Sequence, residues 1–191
     1  MLFILLPFVY TRFCIAETIG EICSDTCESY ALKSANAAVI SSLSKGIDYS
    51  DVVKIEKNSV GDITLIGIDP LKANYIGQEV SLKTKLNLES ELKNGIPVPW
   101  LAFSGIKLLS GYGSKVSFKA ITVASVKCEL NGKFRSVGIN QTLHSVYAQV
   151  ICKTNIEIPF SERTEENYTE ILIAESVIVG KVPEIYFGGA A

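Results

Sequence analysis

The feature that most constrains this chain is the long two-residue alternation in its C-terminal part. In KVSFKAITVASVKCEL, residues Val116, Phe118, Ala120, Ala124, Val126 and Cys128 fall on one side of an extended strand. In GINQTLHSVYAQVICKTNIEIPF, residues Val146, Ala148, Val150, Cys152, Ile156 and Ile158 share a side, and Ser145, Gln149, Lys153, Asn155 and Glu157 share the other. Strands that alternate apolar and polar for this long belong to an antiparallel sheet with one face packed and one face wet. Asn131-Gly132 reads as a two-residue turn followed by a short strand through Phe134 and Val137. SERTEENY reads as a polar loop carrying Glu162, Glu165 and Glu166, TEILIAESVIVG as a further strand, and VPEIYF as a short terminal one.

The N-terminal half has the other period. Between residues 17 and 45, Ile19, Ile22, Cys23, Cys27, Tyr30, Ala31, Ala35, Ala38, Val39 and Leu43 recur at steps of three and four, with no proline and with Gly46 at the far end. That predicts one long helix. VVKIEKNSVGDITLIGID, residues 52 to 69, predicts a hairpin whose loop is longer than two residues. Residues 71 to 93 predict a second helix with Ile76, Val80, Leu82, Leu86 and Leu92 as its apolar positions and Gly77 as a weak point. IPVPWLAFSGIKLLSGYGS, residues 96 to 114, has too many prolines and glycines for one regular element and too many large apolar residues for a solvated loop. It predicts an irregular segment lying against the sheet or a membrane. The fold class is therefore α+β: a long N-terminal helix and a second helix packed on an antiparallel β-sheet.

The first nine residues, MLFILLPFV, are apolar apart from Pro7, and the apolar character persists to Ala16, interrupted by Arg12. A spanning helix needs about 20 apolar residues, and a signal peptide needs an opening basic region. The readings left open are a truncated membrane anchor, an interfacial helix and a buried core helix. With the anchor reading, residues 1–16 tether a single domain formed by residues 17–191.

Composition narrows the chemistry. The 191 residues carry a net charge of −2, so no basic excess exists to displace counterions from nucleic acid, and no nucleic-acid partner is expected. With 48 % apolar and 20 % charged residues the chain is not disordered in character. Five cysteines, Cys14, Cys23, Cys27, Cys128 and Cys152, make an odd set that argues against a full disulfide framework. Cys23 and Cys27 share a helix face but find no second pair of ligands to complete a zinc site. Cys128 and Cys152 either pair or remain buried thiols. Asp48, Asp51, Asp62 and Asp69 sit where aspartate satisfies local backbone donors and lack the spacing of a calcium loop. No metal or cofactor is expected. His144, the single histidine, is the one candidate for a histidine base. Its neighbour Ser145 points to the opposite face of the strand.

The run from Gly138 (GINQTLHSVYAQVICKTNIEIPF) and the run AESVIVGKVPEIYF from Ala174 together resemble the YunB family of sporulation proteins. The carriers are Ile96 and Pro97, Gly111 and Gly113, Gly138 through Asn140, Gln141 and Thr142 with His144, then Glu175 to Gly180, Val182, Pro183 and Tyr186. The chain departs from the pattern at Val98-Pro99-Trp100 and in an N-terminal apolar run that is shorter than expected and lacks flanking basic residues. The resemblance implies a membrane-tethered protein made in the mother cell and needed for spore formation, without catalytic activity. Within it, Gly138 is expected to supply a positive φ or a bulge ahead of the long strand. Asn140, Gln141 and Thr142 are expected to satisfy backbone groups at the turn, and Gly180 and Pro183 to end the last long strand. Three functions follow from different classes. One is a non-enzymatic envelope or assembly factor meeting other sporulation proteins. The second is a lipid- or apolar-ligand-binding domain lined or covered by Trp100 to Leu109. The third is a cell-wall hydrolase using His144 with Glu175.

Overall fold

The computed structural model describes residues 9–10, 14–44, 48–59, 61, 63–119, 121–138, 140–158 and 161–179. Three strands form its main sheet: β5 (Ile121–Gly138), β6 (Gln141–Ile158) and β7 (Ser161–Val179), in the order β5-β6-β7 and antiparallel throughout. Two helices, α1 (Ala16–Leu43) and α3 (Pro70–Leu92), cover one face of it. Before α3 come a single helical turn, α2 (Tyr49–Val52), and a hairpin of β1 (Val53–Lys57) and β2 (Ile63–Ile68). After it β3 (Ile96–Pro99) pairs with β4 (Lys115–Phe118) around two 3₁₀ turns, Trp100–Ser104 and Lys107–Leu109. The fold is α+β.

The helix period of α1 places Ile19, Cys23, Cys27, Ala31, Ala35, Ala38 and Val39 in the core, with Ile22, Tyr30 and Leu43 packed at its margin. Small side chains on this face let α1 lie close to α3 and to the sheet. The two helices run antiparallel, as the pairs Lys33–Glu91 (2.7 Å) and Lys83–Ser41 (2.9 Å) show. Asp69 starts α3: its Oδ1 accepts from the amides of Leu71 (2.9 Å) and Lys72 (3.3 Å), and Pro70 occupies the first turn, where its missing N–H leaves nothing unsatisfied. The core register of α3 is Ile76, Val80, Thr84, Leu88 and Leu92. Leu82 and Leu86, expected inside, lie in solvent. Thr84 hides the true stripe, because a threonine interrupts the apolar pattern although the residue is fully buried, hydroxyl included.

The sheet corrects the sequence reading at three places. Asn131-Gly132 is not a turn, since β5 runs through it without a break. The turn falls later, where Gly138 faces Gln141 and Asn140 adopts φ 61°. Nor is SERTEENY a loop: Glu162 to Tyr168 lie in β7, paired residue by residue with β6. Alternation there is between two kinds of polar residue, so an apolar-polar test misses it. The outer side is held by Lys153–Glu166 (2.9 Å) and by the Thr164 hydroxyl donating to Asn155 (3.1 Å). Finally, Val116 and Phe118 do not share a strand with Val126 and Cys128. They belong to β4 in the small sheet, and a bulge between Val123 and Ser125 shifts the parity so that Ile121 and Val123, not Ala124, lie on the packed face, while Ala120 lies outside the described residues.

No helix among the described residues is long and apolar enough to cross a membrane. Most of the apolar N-terminal run, residues 1–8 and 11–13, lies outside the described residues, as do Gly46, Asp62, Gly180, Pro183, Tyr186 and the VPEIYF segment. Of what is described there, the Tyr10 hydroxyl donates to the carbonyl of Ser104, and Ala16 already belongs to the core.

Candidate functional site

The hairpin turn at Gly138–Gln141 delivers His144 into the packed side of the sheet. Gly138 contributes through a bulge, with the register shifting between Ser136 and Gly138, while the positive φ falls on Asn140. Asparagine is among the few non-glycine residues that enter the left-handed region readily, and the Asn140 Nδ2 is buried there without a hydrogen-bond partner. Four residues beyond Asn140, His144 is 1 % exposed. Its Nδ1 shares a 2.6 Å hydrogen bond with the Tyr49 hydroxyl, the direction following the imidazole tautomer. Phe134, its cross-strand partner, stacks on the ring with centroids 4.3 Å apart and planes 15° apart. Tyr49 meets the ring edge-on at 5.7 Å.

Gly132 lies diagonally across the strand pair. A Cβ there would stand 2.7 Å from the His144 Nε2, so the glycine read as a turn signal instead makes room for the imidazole. Tyr49 is brought in by α2, whose turn is closed by the Asp48 amide donating to the Asp51 carboxylate (3.0 Å). Burial lowers the His144 pKa and raises that of Tyr49, so both groups are held neutral.

Sequence reasoning named His144 but missed Tyr49, Phe134 and Gly132. The Asp48-x-x-Asp51 spacing was the legible sign of a helical turn presenting Tyr49.

The other motif residues do not converge on His144. Ser145 and Glu175 are cross-strand partners on the opposite face, where the Ser145 hydroxyl donates to the Glu175 carboxylate (2.7 Å). Glu175 therefore cannot polarise the imidazole, and the hydrolase reading that combines them falls. Thr142 pairs with Ser136 and Ile178, next to the turn.

The outer face around Ser145 is a polar lattice. Lys133 binds Glu170 (2.6 Å) and lies 4.7 Å over the Tyr147 ring, and Gln149 also donates to Glu170 (3.0 Å). Two open grooves, of about 680 and 510 Å³, run between α3 and β5. Lysine and glutamate line them together with Leu82 and Leu86. Trp100 to Leu109 line neither, so the expected apolar groove covered by that segment is not what these grooves are.

The five cysteines are all free thiols. Burial pushes Cys23 and Cys128 up to about 12 and Cys27 and Cys152 up to about 11, which keeps them protonated and poor as ligands or nucleophiles. Among the described residues no group of three or more His, Cys, Asp or Glu is placed to hold a metal.

With this geometry in place, the comparisons bear on the segment that builds it. Residues 95–185 match the family model "Sporulation protein YunB". Over this segment the chain is similar to the YunB family. The YunB match takes in β3, both 3₁₀ turns, β4 and the whole of the main sheet, including the Gly138–His144 motif, while Tyr49 is contributed from outside it. A relative from Bacillus subtilis (strain 168), also called sporulation protein YunB, is 22 % identical over 178 residues, or 88 % of this chain. The chain spans 65 % of the length of that YunB relative. No solved structure matches the chain.

Proposed function

We propose that this protein serves spore formation as a membrane-associated, non-enzymatic assembly factor. The observation that carries the reading is the YunB match across the sheet and the segment before it. Its non-enzymatic character is supported by the placement of the motif. The single histidine is sealed between Phe134 and Tyr49, and the nearest motif carboxylate, Glu175, is occupied by Ser145 on the far face. A general base must reach a substrate proton, and a ring 1 % exposed offers no such approach. The motif then serves to seat the β5–β6 hairpin on the α2 turn. Membrane association is supported by the apolar run Leu2 to Val9.

The test is allele replacement in the spore-forming host. A His144→Gln protein that accumulates normally and keeps its circular dichroism is expected to support heat-resistant spore counts close to the parent. Normal accumulation with a complete loss of spores would assign His144 a chemical role and overturn the reading. Deleting the whole chain is expected to lower spore yield, and an unchanged yield would sink the sporulation role itself.

A further inference from the structure

We propose that the 3₁₀ segment presents a bilayer-docking surface, centred on Trp100, Leu108 and Tyr112, that sits at the boundary between lipid headgroups and acyl chains. Leu108 is 84 % exposed, Tyr112 67 % and Trp100 60 %, and Ile106 stands beside them in solvent. Large apolar residues exposed this far and this close together call for an occupant.

The segment is not loose. Trp100 N–H donates to Ser114 (2.8 Å), Leu109 N–H to Ile106 (2.9 Å) and Tyr112 N–H to Leu109 (3.0 Å), so the backbone holds the side chains outward. Underneath, Ala102 is fully buried and Phe103 packs on the core. A rigid base with an apolar tip presents its side chains without an ordering cost on binding.

Two observations select a lipid surface as the occupant. The first is continuity. The Tyr10 hydroxyl donates to Ser104, and a Cβ on Gly105 would stand 3.0 Å from the Cys14 Cβ, so the chain leaving the apolar run Leu2 to Val9 arrives against this same segment. The second is residue type and charge. Tryptophan and tyrosine pair an apolar ring with a polar edge and favour the headgroup boundary. One cation of the segment, Lys107, is taken up by Glu21 (2.7 Å) and Glu17 (3.4 Å). With Lys107 held by two carboxylates of the fold, apolar contact drives the docking, and anionic lipid and low salt add little.

This inference rests on the membrane association proposed above, and the experiment separates the two. Trp100 is the sole tryptophan, so its emission reports on this surface alone. The full chain is reconstituted with phosphatidylcholine vesicles, with and without bromine-labelled acyl chains, and followed by flotation and by fluorescence. The expected result is co-flotation, a blue-shifted Trp100 emission and quenching strongest with bromine near the headgroup, all nearly independent of salt. Leu108→Asp, which removes no core contact, is expected to keep the circular dichroism spectrum and weaken vesicle partition on the order of tenfold.

Flotation with Trp100 unshifted and unquenched would overturn the docking surface while leaving membrane association intact. Absence of flotation would overturn both. A Trp100 shift without lipid, accompanied by a dimer mass, would assign the patch to a second copy instead and also overturn it.

Discussion

His144 and Gly132 show how a single position acts through its neighbour. The space above Gly132 is filled by the imidazole, so Gly132→Ala must displace a ring clamped by Phe134 and Tyr49. The expected loss is about 1–3 kcal/mol in urea unfolding, whereas alanine at an ordinary strand glycine stabilises. Burial lowers the folded-state pKa of His144 below its ordinary value of 6.5. Well above that value the imidazole is neutral in both folded and unfolded chains, and acid protonates the unfolded chain first. The contribution of His144 to stability is expected to be constant above neutral pH and to fall as pH drops below about 6.5, and His144→Gln is expected to remove that part of the slope in melting curves taken across acidic pH. The thiols give a second residue-scale test. Cys23, Cys27, Cys128 and Cys152, raised to about 11–12, are expected to resist iodoacetamide in the native protein at neutral pH and to react fully in urea, as read by peptide mass spectrometry.

The two long helices teach opposite lessons at the element scale. The packed face of α1 was legible because every buried position is apolar or small at the right period. That of α3 was not, because Thr84 stands in the core stripe while Leu82 and Leu86 stand outside it. The register is testable: Leu88→Ala is expected to cost about 2–5 kcal/mol, and Leu86→Ala to stay within about 0.5 kcal/mol. Gly77 sharpens the same point. A helix-interior glycine normally gains about 1 kcal/mol on becoming alanine, but a Cβ here would meet the Cys128 carbonyl at 2.7 Å. Because that neighbour is backbone and cannot swing aside, Gly77→Ala is expected to destabilise, and a rise in melting temperature would refute the close approach of α3 to β5.

At the scale of the whole molecule, one core joins the parts: α1 touches α3, β3, β6 and β7, and α3 rests on β5. Helical ellipticity and tyrosine fluorescence are accordingly expected to change at one urea concentration, and two separated transitions would show that helices and sheet unfold independently. The sequence alone determined the class of the fold, the long first helix, the hairpin at 53–68, the face on which His144 lies, and the resemblance to the YunB family. Each follows from a local period or a contiguous motif. Only the tertiary structure decided that β5 continues through Asn131-Gly132, that the glutamate-rich run is a strand, that Tyr49 reaches His144 from 95 residues away, and that Glu175 faces the other side. The physical reason is common to all four. Strand pairing and ring stacking join residues distant along the chain, and a local pattern cannot tell a glycine that turns the backbone from one that leaves room for a neighbour.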